Sequence, residues 1–240
     1  MKVLSENPIR AVFFDAVGTL IHPQPPPADV YAAVGRCFGS RLDAAAVGPR
    51  FRAAFRRQEE QDRELGYRTD DAREVRRWRT IVGEVLDDVT DPDACFWALF
   101  EHFARPGAWR CAPDAGPVLR ALAAARYPLG LASNYDKRLH AVADGLPELR
   151  PLGYRVISAE VGFCKPAAGF YLKLCGLAHA AAQQVLVVGD DFANDYEGAV
   201  AAGLSAALYD PDGAFCDRAV VRVGRLCDLP TLLTCPRQRE

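Results

Sequence analysis

Four short apolar runs in this chain each lead into a reactive polar side chain, and that recurrence restricts the fold more than any other feature. Ala11-Val12-Phe13-Phe14 leads into Asp15, Leu129-Gly130-Leu131-Ala132 into Ser133-Asn134, and Val185-Leu186-Val187-Val188-Gly189 into Asp190-Asp191. Val156-Ile157 leads through a glycine-containing turn into Lys165-Pro166. Short runs of β-branched, aromatic and aliphatic residues read as strands of a parallel sheet covered on both faces. In open α/β sheets ligands bind beyond the carboxyl ends of the strands, so the polar ends of these runs are predicted to converge. A nucleophilic carboxylate, a hydroxyl, an ammonium and further carboxylates are the components of metal-assisted phosphoryl transfer.

From Asp114 onward helical and strand patterns alternate, as in a right-handed α/β sheet. Helices are expected at 114–125, 137–145, 168–177 and 194–202, and strands at 129–132, 155–157, 185–188 and 204–208. The segment between the first strand and this alternation differs. His22-Pro23-Gln24-Pro25-Pro26-Pro27 reads as a stiff extended linker, because proline lacks a donor and restricts its neighbours. Helical patterns follow at 28–38, 43–65, 70–87 and 93–105, with Asp43, Asp70 and Asp93 as helix starts. Phe51, Phe55, Val75, Trp78, Val82, Phe96, Leu99 and Phe103 recur at helical spacing, the mark of faces packed on one another. The expected organisation is therefore an α/β core with a Rossmann-like parallel sheet over residues 1–21 and 108–240, and an inserted all-helical cap over 22–107. The polar end near Cys235 to Glu240 is expected to fray.

A chain of 240 residues suffices for one large domain or for a core carrying a smaller one. Its net charge of -2 points to no polyanion, so nucleic acid is not an expected partner. The apolar stretches are strand-sized, and Met1 to Asn7 lack the apolar run of a secretory signal, so no membrane association and a cytoplasmic location are expected. The eight cysteines are scattered without a CxxC pair and read as reduced thiols rather than a disulfide or zinc framework. Arginines 50, 52, 56, 57, 63, 68, 73, 76, 77 and 79 are interspersed with acids, which reads as a solvated helix face.

An aspartate can attack a phosphoryl group only where its repulsion from the phosphate oxygens is neutralised, so a cation must accompany Asp15. Asp190 and Asp195 would complete a hard, oxygen-rich set suited to Mg²⁺. Lysine occurs only at positions 2, 137, 165 and 173, which sets Lys165, after a strand and beside a proline, apart from surface filler. Its charge could bind phosphate and hold Asp15 ionised. Ser133-Asn134 could serve an anion or cap a helix. Asp191 faces the metal or solvent, and Asn194 orients a ligand or caps the following helix.

These residues carry a resemblance to the haloacid dehalogenase superfamily of hydrolases. Asp15-Ala16-Val17-Gly18-Thr19-Leu20 is similar to its first motif, Ser133-Asn134 to its second, Lys165-Pro166 to its third and Gly189-Asp190-Asp191-Phe192-Ala193-Asn194-Asp195 to its fourth. The stretches 133–139 and 189–199 resemble more narrowly the rhythmically-expressed-gene-like branch, and the likeness covers residues 8–22 and 108–235. The resemblance implies a phosphatase acting on a small phosphorylated molecule, with Asp15, Ser133 and Lys165 catalytic. It implies substrate contacts from Gly18, Thr19, Ser133, Asn134 and Lys165. It further implies Mg²⁺ held by Asp15, the main-chain carbonyl of Val17, Asp190 and Asp195, in a monomer or weak homodimer.

Val17 departs from the pattern, since phosphatases of the superfamily carry a second aspartate there as acid and base. General acid–base assistance is worth about 10² to 10⁴ in rate. His22 and Asp136 are candidate replacements. The alternative readings are a haloacid dehalogenase, against which the aspartates of the fourth motif speak, and a catalytically weak phosphate-binding protein.

Overall fold

The protein is described here by a computed structural model covering residues 8–234. Its first strand, β1 (Ala11–Phe14), is wholly buried and runs down the middle of a six-stranded parallel sheet. After it come β2 (Ile21–Pro23), then the helices α1 (Pro27–Cys37), α2 (Ala44–Glu64), α3 (Asp71–Val85) and α4 (Pro92–His102), and then β3 (Trp109–Cys111). The chain continues through α5 (Ala115–Ala124), β4 (Leu129–Ser133), α6 (Arg138–Asp144), β5 (Tyr154–Ile157), α7 (Ser158–Val161) and α8 (Ala168–Ala178). It closes with β6 (Val185–Gly189), α9 (Gly198–Ala201), β7 (Ser205–Tyr209), β8 (Arg222–Val223) and α10 (Leu229–Thr234).

The sheet order is β5-β4-β1-β6-β7-β8, and every pairing is parallel. Helices cover both faces of such a sheet, which is why its central strands carry no polar alternation. Phe14 of β1 is level with Leu131 of β4 and Val188 of β6. That register brings Asp15, Ser133 and Asp190 out at one edge, the convergence expected from the sequence. The edge strand β8 and the short helix α7, which fills the turn before Lys165, lack the hydrophobic run that marked the other elements.

The segment expected as a Pro-rich linker is in part a strand. β2 pairs antiparallel with β3, Ile21 facing Cys111 and Pro23 facing Trp109. The extended backbone that proline favours is also strand backbone, and at an edge its missing donor costs nothing. Both connections between core and helices therefore run side by side.

The helices α1 to α4 form a separate cluster around Tyr31, Val47, Ile81, Val85, Phe96 and Leu99. Asp43 and Asp70 cap α2 and α3 through bonds from the Ala46 and Arg73 amides (2.8 and 2.6 Å). Such caps are worth about 1 kcal/mol each. The cap of α4 is Asp91 rather than the expected Asp93, because Pro92 takes the first helical position and leaves Asp93 in the first turn. The arginine-rich run is only partly a solvated face. Arg50 and Arg57 pair with Asp87 and Glu84 at the surface, but Arg73 and Arg77 are buried with Asp62 and Glu74. The seven cysteines among the described residues are unpaired, and the expectation of fraying at 235–240 lies outside those residues.

Candidate active site

Asp15 leaves β1 with its amide bonded to the Val188 carbonyl (2.8 Å), so neighbouring strands fix its direction. Its side chain meets Lys165, whose Nζ donates to Asp15 Oδ1 at 2.7 Å and to Asp195 Oδ1 at 2.6 Å. Lys165 is 3% exposed. Burial alone would neutralise such an ammonium, but the Asp15 and Asp195 carboxylates outweigh it and push its pKa up.

Asp195 is reached through a π-helical turn, Phe192–Glu197, in place of a helix starting at Asn194. Asp191 caps this turn by accepting from the Asn194 amide (2.8 Å), while Asp195 Oδ2 accepts from the Asp191 amide (3.1 Å). Asn194 is therefore not the cap expected of it: its amide and its Nδ2 (3.1 Å) both donate to Asp191, which is exposed, as the solvent alternative for Asp191 has it. Asp195 has both carboxylate oxygens engaged. Gly189 is required beneath it, since a Cβ there would fall 2.1 Å from the Asp195 carboxylate.

Asp190 is held through Oδ1, which accepts from the buried Thr19 hydroxyl at 2.8 Å. Burial and the neighbouring Asp15 charge raise its pKa to about 6, and burial raises that of Asp195 as well. Gly18 lies against the same carboxylate. Its φ of +98° and the 2.3 Å that would separate an added Cβ from Asp190 Oδ2 both demand glycine. Asp15, Asp190 and Asp195 offer oxygens that all lie within 4.8 Å of one another. Three carboxylates against one ammonium leave an excess of two negative charges, which suits a divalent cation. Carboxylate oxygens suit a hard cation of the magnesium and calcium kind.

Other expected site residues take more specific places. Ser133 closes β4, buried and level with Ile157. Asn134 grips the Lys165 main chain from both sides, donating to its carbonyl (3.0 Å) and accepting from its amide (2.7 Å). The observed contacts of Thr19 and Asn134 are thus to Asp190 and Lys165, supports that the motifs alone do not reveal. Val17, 36% exposed, sits in the turn whose next residue packs on Asp190 and offers no ionisable group.

The two candidate replacements for the missing acid are placed differently. Asp136 is buried with both oxygens bound by Arg138, at 2.8 Å from Nε and 2.7 Å from Nη2. His22 lies in β2 opposite Arg110, its pKa lowered by burial and by that arginine.

Comparison with known proteins places this geometry among relatives. The family model for haloacid dehalogenase-like hydrolases matches residues 9–203. The human haloacid dehalogenase-like hydrolase domain-containing protein 3 is 26% identical over 205 residues, covering 83% of this chain and 81% of that protein. The rhythmically expressed gene 2 protein of Drosophila melanogaster is 24% identical over 222 residues, covering 87% and 85%. The fold matches a magnesium-bound HAD-hydrolase structure from Bacillus subtilis at a TM-score of 0.74, with 17% identity and 95% and 100% coverage. It matches the L-2-haloacid dehalogenase of Xanthobacter autotrophicus, with chloropropionic acid covalently bound, at 0.73, with 18% identity and the same coverage. Among the described residues no helix is long and apolar enough to cross a membrane.

Proposed function

The chain belongs to the haloacid dehalogenase-like hydrolases, and from that premise we propose a magnesium-dependent phosphatase of a small organic phosphate, acting through an aspartyl-phosphate at Asp15. The observation that carries this reading is the set of three carboxylates, Asp15, Asp190 and Asp195, gathered around one buried ammonium. A halide displacement has no use for so concentrated a negative charge. A phosphoryl transfer uses it to hold a cation.

Mg²⁺ held by Asp15, Asp190 and Asp195, with the Val17 carbonyl as the family resemblance implies, would screen the repulsion between Asp15 and the phosphate oxygens. The rest follows from the side chains. Lys165 donates to Asp15 Oδ1 at 2.7 Å and so sets a positive charge beside the carboxylate that attacks. An Asp15 oxygen forms a bond to phosphorus as the bond to the leaving oxygen breaks, and water then cleaves the acyl phosphate to return the carboxylate and inorganic phosphate. Ser133, at the end of β4, supplies a hydroxyl to the phosphate oxygens, and Asn134 serves by fixing Lys165.

Because Val17 cannot protonate a leaving oxygen, the preferred substrates are acyl or aryl phosphates, whose leaving groups depart as stable anions. The helical cap over 22–107 opens and closes above this site and sets substrate choice, excluding water when closed. The protein acts as a monomer or weak homodimer, without nucleic acid or membrane partners.

Val17 also favours a second reading, a dehalogenase, since halide leaves without a proton. A screen of phosphorylated metabolites and haloacids, each with Mg²⁺ and with chelator, separates the two. Phosphate release that chelator abolishes supports the phosphatase. Halide release that survives chelator supports the second reading.

A further inference from the structure

Lys165 is held from the core by Asn134, but the residues immediately before it are held by the cap. The Cys164 amide donates to the Tyr67 carbonyl at 2.9 Å, and the Cys164 thiol lies 3.4 Å from the same oxygen. Two residues on, the Thr69 amide donates to the Gly162 carbonyl at 3.2 Å. Between them Arg68 pairs antiparallel with Phe163 and lays its guanidinium 5.3 Å from that ring's centroid. The turn between α2 and α3 thus forms a short ribbon with the segment that delivers Lys165.

The turn is tied down at several points. Gly66 and Tyr67 are both left-handed, with φ of 63° and 60°, a conformation that a tyrosine adopts only where its surroundings enforce it. The Tyr67 amide is taken by the Asp62 carbonyl at 2.7 Å. The Asp62 carboxylate meets Arg73 (2.5 Å) and Arg77 (3.4 Å), and the Thr69 hydroxyl donates to Glu74 (2.7 Å). Arg73, Glu74, Arg77 and Thr69 are all buried. A buried ionic network is a weak source of stability but a means of specifying one geometry. Here the geometry specified is that of a carbonyl and an amide aimed at the core.

We propose that the Gly66–Thr69 turn is a positioning clamp for Lys165, fixing the Gly162–Cys164 segment from the cap while Asn134 fixes the Lys165 main chain from the core. Tyr67 and Thr69 touch no reacting atom. They act through Lys165, whose place between Asp15 and Asp195 the cap and the core hold jointly. The effect on turnover rests on the phosphatase reading, whereas the placement of Lys165 does not.

Trace amine labelling of the full chain, read by mass spectrometry, tests the clamp directly, because Lys137 and Lys173 are exposed and serve as internal references. Tyr67→Pro cannot take the left-handed conformation, while Tyr67→Gly takes it freely and keeps the carbonyl. Lys165 of the wild type and of Tyr67→Gly should label at least about tenfold more slowly than Lys137, and Tyr67→Pro should remove most of that protection. In Tyr67→Pro, kcat on an aryl phosphate should fall by roughly ten- to a hundredfold, with KM little changed. Should Tyr67→Pro not fold, Thr69→Val, which strips Glu74 of its hydroxyl donor, should raise Lys165 labelling, and Thr69→Ser should restore protection. Unaltered protection in a folded Tyr67→Pro, or in Thr69→Val, overturns the clamp. Altered protection in a protein that hydrolyses no phosphate leaves the clamp standing and overturns the phosphatase reading.

Discussion

The hydroxyl of Thr19 donates to Oδ1 of Asp190 at 2.8 Å, tying the turn after the first strand to the end of β6 across the floor of the site. The bond favours the ionised form of Asp190 against the burial that opposes it. Thr19→Val keeps the shape and removes the donor. Stability should fall by about 1–3 kcal/mol, the cost of a buried acceptor left unpaired. Mg²⁺ affinity should weaken, because the Asp190 pKa moves further up and protons compete more strongly. Denaturant melts and a metal titration of the variant check both.

Asp136, although it follows the second motif, is a structural anchor. Its carboxylate is bound twice by Arg138, and that guanidinium lies 3.5 Å from the Phe100 ring centroid and donates to the Phe100 carbonyl (3.0 Å). The pair therefore joins the core to α4 of the cap. Asp136→Asn should cost about 3 kcal/mol, as expected when one partner of a buried pair loses its charge. It should leave the dependence of kcat/KM on leaving-group pKa unchanged. A changed dependence would return Asp136 to consideration as the acid.

The carboxylates of the site make stability depend on pH in a definite direction. Asp190, raised from 3.8 to about 6, and Asp195, raised by its burial, bind protons more tightly in the folded chain than in the unfolded one. Their contribution to stability is full below the unfolded value and is lost as pH rises through the folded one. These two groups should therefore destabilise the metal-free protein as pH climbs from about 4 to 6. Mg²⁺ binds the ionised forms, so the rise in Tm that it produces should be larger at about pH 7.5 than at about pH 5.5. Thermal melts with Mg²⁺ and with chelator at the two pH values measure this. An equal rise at both would show that the metal does not bind these carboxylates.

Val17→Asp should speed hydrolysis of alkyl phosphates more than of aryl or acyl phosphates. An alkoxide needs a proton as its bond breaks, and an aryl oxide or acylate scarcely does. The gain is bounded by the roughly 10² to 10⁴ that general acid–base catalysis supplies. The readout is kcat/KM over esters of graded leaving-group pKa in both proteins. Parallel dependences would show that Val17 is not the missing acid.

The core was legible because its strands are continuous apolar runs and its chemistry follows each of them directly. Asp15, Lys165, Asp190 and Asp195 meet as their order along the sheet required. What sequence patterning missed depends on contacts distant along the chain. β2 is three residues long and contains a proline, and its partner β3 lies beyond the whole cap. Arg73 and Arg77 look like their solvated neighbours until the fold brings Asp62 and Glu74 against them. Thr19 and Asn134 are short polar residues whose partners, Asp190 and Lys165, are set by strand order rather than by local spacing.

The most direct test of the mechanism is an acid-quenched single turnover with radiolabelled acetyl phosphate and Mg²⁺, followed by mapping of the labelled peptide. Wild type should carry acid-stable, hydroxylamine-sensitive phosphate on Asp15. Asp15→Asn should carry none and should lose at least about a thousandfold in turnover. Undiminished phosphate release by Asp15→Asn, or label on any other residue, would contradict an aspartyl-phosphate at Asp15.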